Sequence, residues 1–256
     1  MISATGSVPV CEAKPSTLMG RRNISQEIKS DKEIVAENPH VEHGGSYRPK
    51  HCVQRGRMKV AVLVAYRSRT EHLQILLNNL HPFLQRQQLD YTIFVAEQSG
   101  NATFNRGKLF NTGFQEVNKL SGYSCFVFHD VDLLPENDHN SYFCPTIPTL
   151  LASVMDKNQY KPFYDTYFGS EDDDLGERVR TKLGKPGRVP FDIGQYTMIK
   201  HGRDSGNPFN PKGQELAKNA TQRMETDGLS NVHYTILQSE LRPLYTWMLV
   251  DLGAPP

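Results

Sequence analysis

Two carboxylates one residue apart close the apolar run of CFVFHDVDLLPEND, residues 125–138. Asp130 and Asp132 stand at i and i+2, so in extended backbone both side chains point to one side. Two such charges repel unless a cation or hydrogen-bond donors satisfy them. Hard oxygen ligands suit Mg²⁺ or Mn²⁺, ions that commonly bridge carboxylates to substrate phosphates. The plainer reading is a cap, with Asp at a strand end accepting backbone N–H groups. Arg67 and Arg69 have the complementary chemistry, because guanidinium forks match phosphate oxygens. Their alternative is a pair of solvated arginines starting a helix. Phe104-Asn105-Arg106 opens a helical segment, where free N–H groups favour anions; simple capping is the alternative. Glu171, Asp172, Asp173 and Asp174 suit a solvated first helical turn, and one buried member of the four would suit a general base. Met198 and His201, three residues apart, pair a thioether with an imidazole. Sulfur is a poor match for a hard cation, so the residues by themselves favour a core Met beside an exposed His.

The elements that position these groups follow from hydrophobic periodicity. Residues 60–64 form a continuous apolar run, which suits a strand covered on both faces. Residues 69–84 repeat Leu73, Leu76, Leu77 and Leu80 at helical spacing, with Pro82 helping to close the helix. Residues 91–95 predict a second strand, 104–119 a second helix and 125–128 a third strand. This β-α-β-α-β order implies a parallel sheet, whose ligands bind beyond the carboxyl ends of its strands. Asp130 and Asp132 lie at that end of the third strand, and Arg67 and Arg69 at that end of the first. Further along, 214–226 reads as helix, and 232–238 and 245–252 as strands. Residues 1–57 read as a polar arm or stem with little structure of its own, and 58–256 as the main domain.

The 256 residues suit one domain with a full core, or at most two small ones. Twenty-nine basic residues against 28 acidic ones leave a net charge of +1, so no basic surplus points to nucleic acid. Cys11, Cys52, Cys125 and Cys144 form no CxxC pair, which argues against zinc. Four buried thiols or two disulfides, in any of three connectivities, fit the sequence alone. Asn23-Ile-Ser, Asn101-Ala-Thr and Asn219-Ala-Thr are N-glycosylation acceptors and lean toward a secretory route. No apolar run approaches the roughly 20 residues of a membrane span, and the first residues lack a signal-peptide core.

Several stretches, in this order, resemble the β-1,4-galactosyltransferase family: KHC (50–52), HPFLQRQQLDY (81–91), FNRGKLFNTGF (104–114), CFVFHDVDLLPENDHN (125–140), YFG (167–169), EDDDL (171–175), MIKHGRD (198–204), TDGLSNVHY (226–234) and PLYTWMLVDLG (243–253). The likeness runs from about Cys11 to the C-terminus. It implies an α/β glycosyltransferase-A fold, Rossmann-like with a mixed, mainly parallel sheet. It also implies an Mn²⁺-dependent inverting transfer of galactose from UDP-galactose to the 4-hydroxyl of N-acetylglucosamine or a related sugar, in the Golgi lumen. By this resemblance Asp132, Met198 and His201 hold the metal. Asp130 and Val131 touch the nucleotide-sugar. Arg67, Arg69, Phe104 and Arg106 line the UDP pocket, with Lys157 nearby. Asp172 is the catalytic base, next to Asp173 on the acceptor side, and Tyr167 selects galactose. The implied disulfides are Cys11–Cys52 and Cys125–Cys144.

The chain departs from the family pattern mildly at the first strand's end, where the family's Pro-aromatic-Arg-x-Arg is Ala65-Tyr66-Arg67-Ser68-Arg69, and more strongly in a second place. The family reads YFGG, a long segment, then WGWGGEDDD; here Tyr167-Phe168-Gly169 runs through Ser170 straight into Glu171. The missing part carries a mobile loop over the donor and part of the acceptor platform. Its loss exposes the site to water and removes binding energy for closure, which predicts weak or absent transfer. A truncated or alternatively spliced form without the membrane anchor is the corresponding expectation. The alternative is a catalytically dead form that binds UDP and Mn²⁺ or only interacts with partners.

Overall fold

The computed structural model describes residues 8–54, 56, 58–162, 171–202 and 212–253. Helix α1 (Asp31–Glu37) and strand β1 (Ser46–Tyr47) precede the main sheet. The sheet is then laid down by β2 (Lys59–Tyr66), α2 (Thr70–Arg86), β3 (Tyr91–Gln98), α3 (Arg106–Asn118) and β4 (Tyr123–Asp130). Short elements follow: β5 (Leu133–Pro135), β6 (Thr149–Leu150), β7 (Val154–Met155), a 3₁₀ turn (Asp156–Asn158), α4 (Glu171–Leu183), β8 (Gly187–Arg188) and β9 (Gln195–Met198). Helices α5 (Gly213–Lys218) and α6 (Ala220–Arg223) and strands β10 (Thr235–Leu241) and β11 (Thr246–Asp251) complete the chain.

The sheet order is β10-β11-β3-β2-β4, with β1 added beside β3. β2 pairs in parallel with both β3 and β4, and β11 in parallel with β3. β10 is antiparallel to β11. The sheet is therefore mixed and mainly parallel, as the alternating pattern predicts. The continuous apolar run of β2 has a direct cause. Val60, Val62 and Val64 enter one core with Leu76 and Leu80 of α2. Ala61, Leu63 and Ala65 enter a second core with Leu109 and Val117 of α3. Each fully buried Val or Leu contributes about 1.5–3 kcal/mol, so both faces fix the register. The ends of β2 and β4 consequently lie side by side, with Ala65 opposite Asp130.

Several boundaries differ from expectation, β3 running on to Gln98, β4 taking in Asp130 and β10 starting at Thr235. α2 runs through Pro82 to Arg86 instead of closing there. Phe83 and Leu84, beyond the proline, are buried in the core, and their burial outweighs the lost backbone bond. The helical segment 214–226 is two helices, broken at Asn219. The arm is also more ordered than its polar texture suggests. Ser30 and Glu33 form a reciprocal capping box at the start of α1.

The arm is fastened to the domain at several points. Val10 bridges Val53 beside the Cys11–Cys52 disulfide. Buried Asp138, from the PENDHN stretch, accepts N–H bonds from Met19 and Gly20 and an Arg86 bond at 2.6 Å. Cys125 and Cys144 form the second disulfide and tie β4 to the loop after β5. The free-thiol alternative is thereby overturned, and the pairing is the one that the resemblance implies. Among the described residues no helix is long and apolar enough to cross a membrane.

Candidate active site

The carboxyl end of β2 is turned sharply at Ser68, whose φ is 50°. This left-handed residue separates its two arginine neighbours. Arg67 lies over the Phe104 ring at 5.2 Å and donates to the Ala102 carbonyl at 2.5 Å. Arg69 reaches the other way, with Nη1 3.4 Å from Asp132 Oδ2. Phe104 is packed against the second core and serves as a floor for Arg67. Asn105 then caps α3, its side-chain oxygen accepting the Lys108 N–H at 2.9 Å.

Asp130 and Asp132 are satisfied by side-chain donors, each by its own set. β4 ends at Asp130, Val131 is buried in the core, and the two carboxylates are satisfied separately. Both Asp130 oxygens accept from Arg106 Nη1 at 2.6 Å. Asp132 Oδ2 faces His201 Nε2 at 2.7 Å. The chain places His201 there through the β5–β9 ladder, in which Leu133 opposes Met198 and Ile199 N–H donates to the Asp132 carbonyl at 2.8 Å. Met198 is further fixed by its own N–H, which donates to Asp156 Oδ1 at 2.8 Å. The same oxygen accepts the N–H of exposed Lys157 at 2.7 Å. Asp132 and His201, far apart in sequence, thus meet at the end of the ladder that also carries Met198.

The donor chemistry of this ladder fits a cation. His201 Nδ1 donates to the Gly202 carbonyl at 2.7 Å, which leaves the Nε2 lone pair pointing at a carboxylate oxygen. A 2.7 Å contact is hydrogen-bond distance, and the imidazole and the carboxylate it joins are both groups that ligate divalent cations. Among the described residues no three His, Cys, Asp or Glu side chains cluster as a metal site.

Arg106 gathers the remaining charge. Besides Asp130 it binds Glu171, and its Nη2 lies 2.6 Å from Asp172 Oδ2. Burial works against the guanidinium, but the three carboxylates outweigh it and raise its pKa further. Burial likewise opposes the Glu171 carboxylate, and Arg106 overrides it, lowering that pKa. Asp172 moves the other way. Lost hydration, with the charges of Asp130 and Glu171, raises its carboxyl above the ordinary value, and Arg106 only partly offsets this. Its side chain remains 70% exposed, so water screens much of the effect. The four acids do open α4, as the macrodipole favours. Asp173, on the same turn, is partly buried. Tyr167 lies outside the described residues.

Arg67, Arg69, His72, Asn101 and His201 line an open cleft of about 710 Å³ between the ends of β2 and β3. Its volume and its cationic rim suit a nucleotide-sized anion. Phe104, Arg106 and Lys157 are not among its lining residues. His72 is a cleft residue that sequence reasoning missed. It lies three residues beyond Arg69, in the first turn of α2, where its spacing carries no distinctive signal. Its ring centroid is 5.6 Å from that of His201.

Residues 11–145 match the N-terminal region of glycosyl transferase group 7, and residues 152–202 match the N-terminal domain of galactosyltransferase. Bos taurus β-1,4-galactosyltransferase 3 is 41% identical over 281 positions, spanning 100% of this chain and 70% of the relative. The chain belongs to the β-1,4-galactosyltransferase family. It is therefore a glycosyltransferase by descent. Homo sapiens β-1,4-galactosyltransferase 1 is 39% identical over 97% of the chain and 68% of its own length. A Drosophila β-1,4-galactosyltransferase 7 mutant, solved with manganese, UDP-Gal and xylobiose, superposes with a TM-score of 0.63. That match has 27% identity and covers 77% of this chain and 95% of the other. The expected glycosyltransferase-A architecture is the observed one. The Bos taurus alignment spans 281 positions against 256 residues here, so about 25 positions of this galactosyltransferase have no partner in the chain.

Proposed function

We propose that the protein transfers galactose from UDP-galactose to the 4-hydroxyl of terminal N-acetylglucosamine or a related sugar, with inversion, in the Golgi lumen. The observation that carries this reading is the meeting of Asp132 and His201, 2.7 Å apart at the β5–β9 ladder, a carboxylate and an imidazole of the types that ligate a divalent cation. Asp132, Met198 and His201 would hold Mn²⁺, which supplies charge neutralisation for the departing diphosphate. Arg67 and Arg69 bind diphosphate oxygens from the cleft side. Asp130 and Val131 meet the nucleotide-sugar, with Phe104, Arg106, Lys157 and Tyr167 completing the donor side. Asp172 takes the proton of the acceptor hydroxyl as its oxygen attacks the anomeric carbon. The bond to the UDP oxygen breaks on the opposite face, and UDP leaves with the electron pair. Asp173 lies toward the acceptor.

A second reading has support of its own. Asp172 is held by Arg106, and about 25 family positions are missing. Such a chain binds UDP and Mn²⁺ but turns over weakly or not at all. A radiolabelled galactose transfer assay over acceptors ending in N-acetylglucosamine, glucose or xylose tests the first reading. Thermal protection by UDP, strengthened by Mn²⁺, tests binding separately. Protection without transfer supports the second reading, and absence of both refutes the two together.

A further inference from the structure

The turn between β3 and α3 carries a modification signal at the rim of the cleft. Asn101, Ala102 and Thr103 form an N-glycosylation acceptor, and all three are exposed. Gly100, at φ 68°, provides the left-handed step that brings the acceptor to the surface. The turn cannot swing freely, because its neck is tied. Gln98 Nε2 donates to the Thr103 carbonyl at 3.0 Å, and Gln98 Oε1 accepts the Asn105 N–H at 2.8 Å. Arg67 grips the Ala102 carbonyl, in the peptide group between the second and third residues of the acceptor. Asn101 and Arg67 line the same cleft.

We propose that Asn101 carries an N-linked glycan that overhangs the cleft and competes for space with the bound nucleotide-sugar. This rests on reading the cleft as the donor site. In the modification, Asn101 Nδ2 bonds to the anomeric carbon of an oligosaccharide carried on a lipid pyrophosphate. One amide proton is lost, and the lipid pyrophosphate leaves with the electron pair of the broken C–O bond. A glycan is bulky and hydrophilic, so it stays outside the core and over the opening. Its root is held beside Arg67 by the tied turn. The other two acceptors are placed differently. Asn23 is exposed on the arm, and Asn219 sits between α5 and α6 with Ala220 fully buried and Thr221 Oγ1 3.2 Å from Thr181 Oγ1. Neither lines the cleft.

The test uses the full chain secreted from a glycosylating host, with site occupancy read by glycopeptide mass spectrometry. Endoglycosidase trimming to a single N-acetylglucosamine avoids converting Asn101 to a charged Asp. Titration calorimetry in Mn²⁺ then compares UDP-galactose, UDP and inorganic pyrophosphate. Trimming, or Asn101→Gln, is expected to tighten UDP-galactose binding roughly tenfold, because the glycan no longer competes with the bound sugar for the space above the cleft. UDP should gain less and pyrophosphate nothing, while Asn23→Gln should change none of them. An empty Asn101 in a chain whose Asn23 is occupied overturns the inference. So does an occupied Asn101 whose trimming leaves all three affinities unchanged. Loss of nucleotide binding in every form overturns the donor-site reading and this inference with it.

Discussion

Lowering the pH should destabilise the protein through one buried histidine. His81, from the HPFLQRQQLDY stretch, is completely buried between α2, β3 and the turn before β11. Its Nε2 faces the Leu244 carbonyl at 2.9 Å and its Nδ1 faces the Tyr91 hydroxyl at 2.8 Å. A carbonyl only accepts, so Nε2 carries the proton and Nδ1 accepts from Tyr91. The neutral ring is thus fully satisfied. Burial lowers its pKa from 6.5 to about 4, the Leu244 carbonyl only partly opposing this. Because the folded value is depressed, the stabilisation is complete above the unfolded value and is lost as pH falls. Between pH 6.5 and about 4 the unfolded chain takes up a proton that the native ring refuses. The loss is about 1.4 kcal/mol per pH unit, or about 3 kcal/mol across the window. Urea unfolding of the wild type and His81→Gln from pH 7.5 to 4 isolates this group, since the carboxylates contribute equally to both. The variant should be less stable by about 1–3 kcal/mol at pH 7.5, from its imperfect hydrogen bonds. That gap should close and reverse toward pH 4. A gap that stays constant with pH refutes the assignment of a neutral, buried His81.

Other substitutions probe the site and its supports. Ser68→Gly should stabilise the protein by about 0.5–1 kcal/mol in thermal or chemical unfolding, because glycine accepts a φ of 50° without steric cost; Ser68→Val should destabilise it. Asp172→Asn should lower galactose transfer by about 10²–10⁴-fold while leaving UDP affinity within about twofold, measured by turnover and calorimetry. Equal losses in both would assign Asp172 to binding instead of proton transfer. Replacing Cys11 and Cys52 by Ser should cost up to about 4 kcal/mol, since the bridge closes a loop with a sequence separation of 41; urea midpoints before and after substitution check this.

The residue order by itself determined the alternation of strands and helices, because the periods of apolar residues differ between the two. The run 60–64 could be buried on both faces only as a central strand, and β2 is one. The same pattern put Arg67, Arg69, Asp130 and Asp132 at the carboxyl edge of the sheet. The long motifs were equally legible, and their family assignment holds along the chain. Sequence did not show that Pro82 would lie inside α2, because that depended on how much core lay beyond it. Nor did it assign the acids their partners. Asp130 turns to Arg106 and Asp132 to Arg69 and His201, where their spacing had left a cation or hydrogen-bond donors open. Only the tertiary structure decided these pairings. Backbone periodicity sets which side of an element a residue takes. Which charges then meet depends on the packing of elements far apart in the chain, here α3 and α4 around Arg106 and the β5–β9 ladder around Asp132.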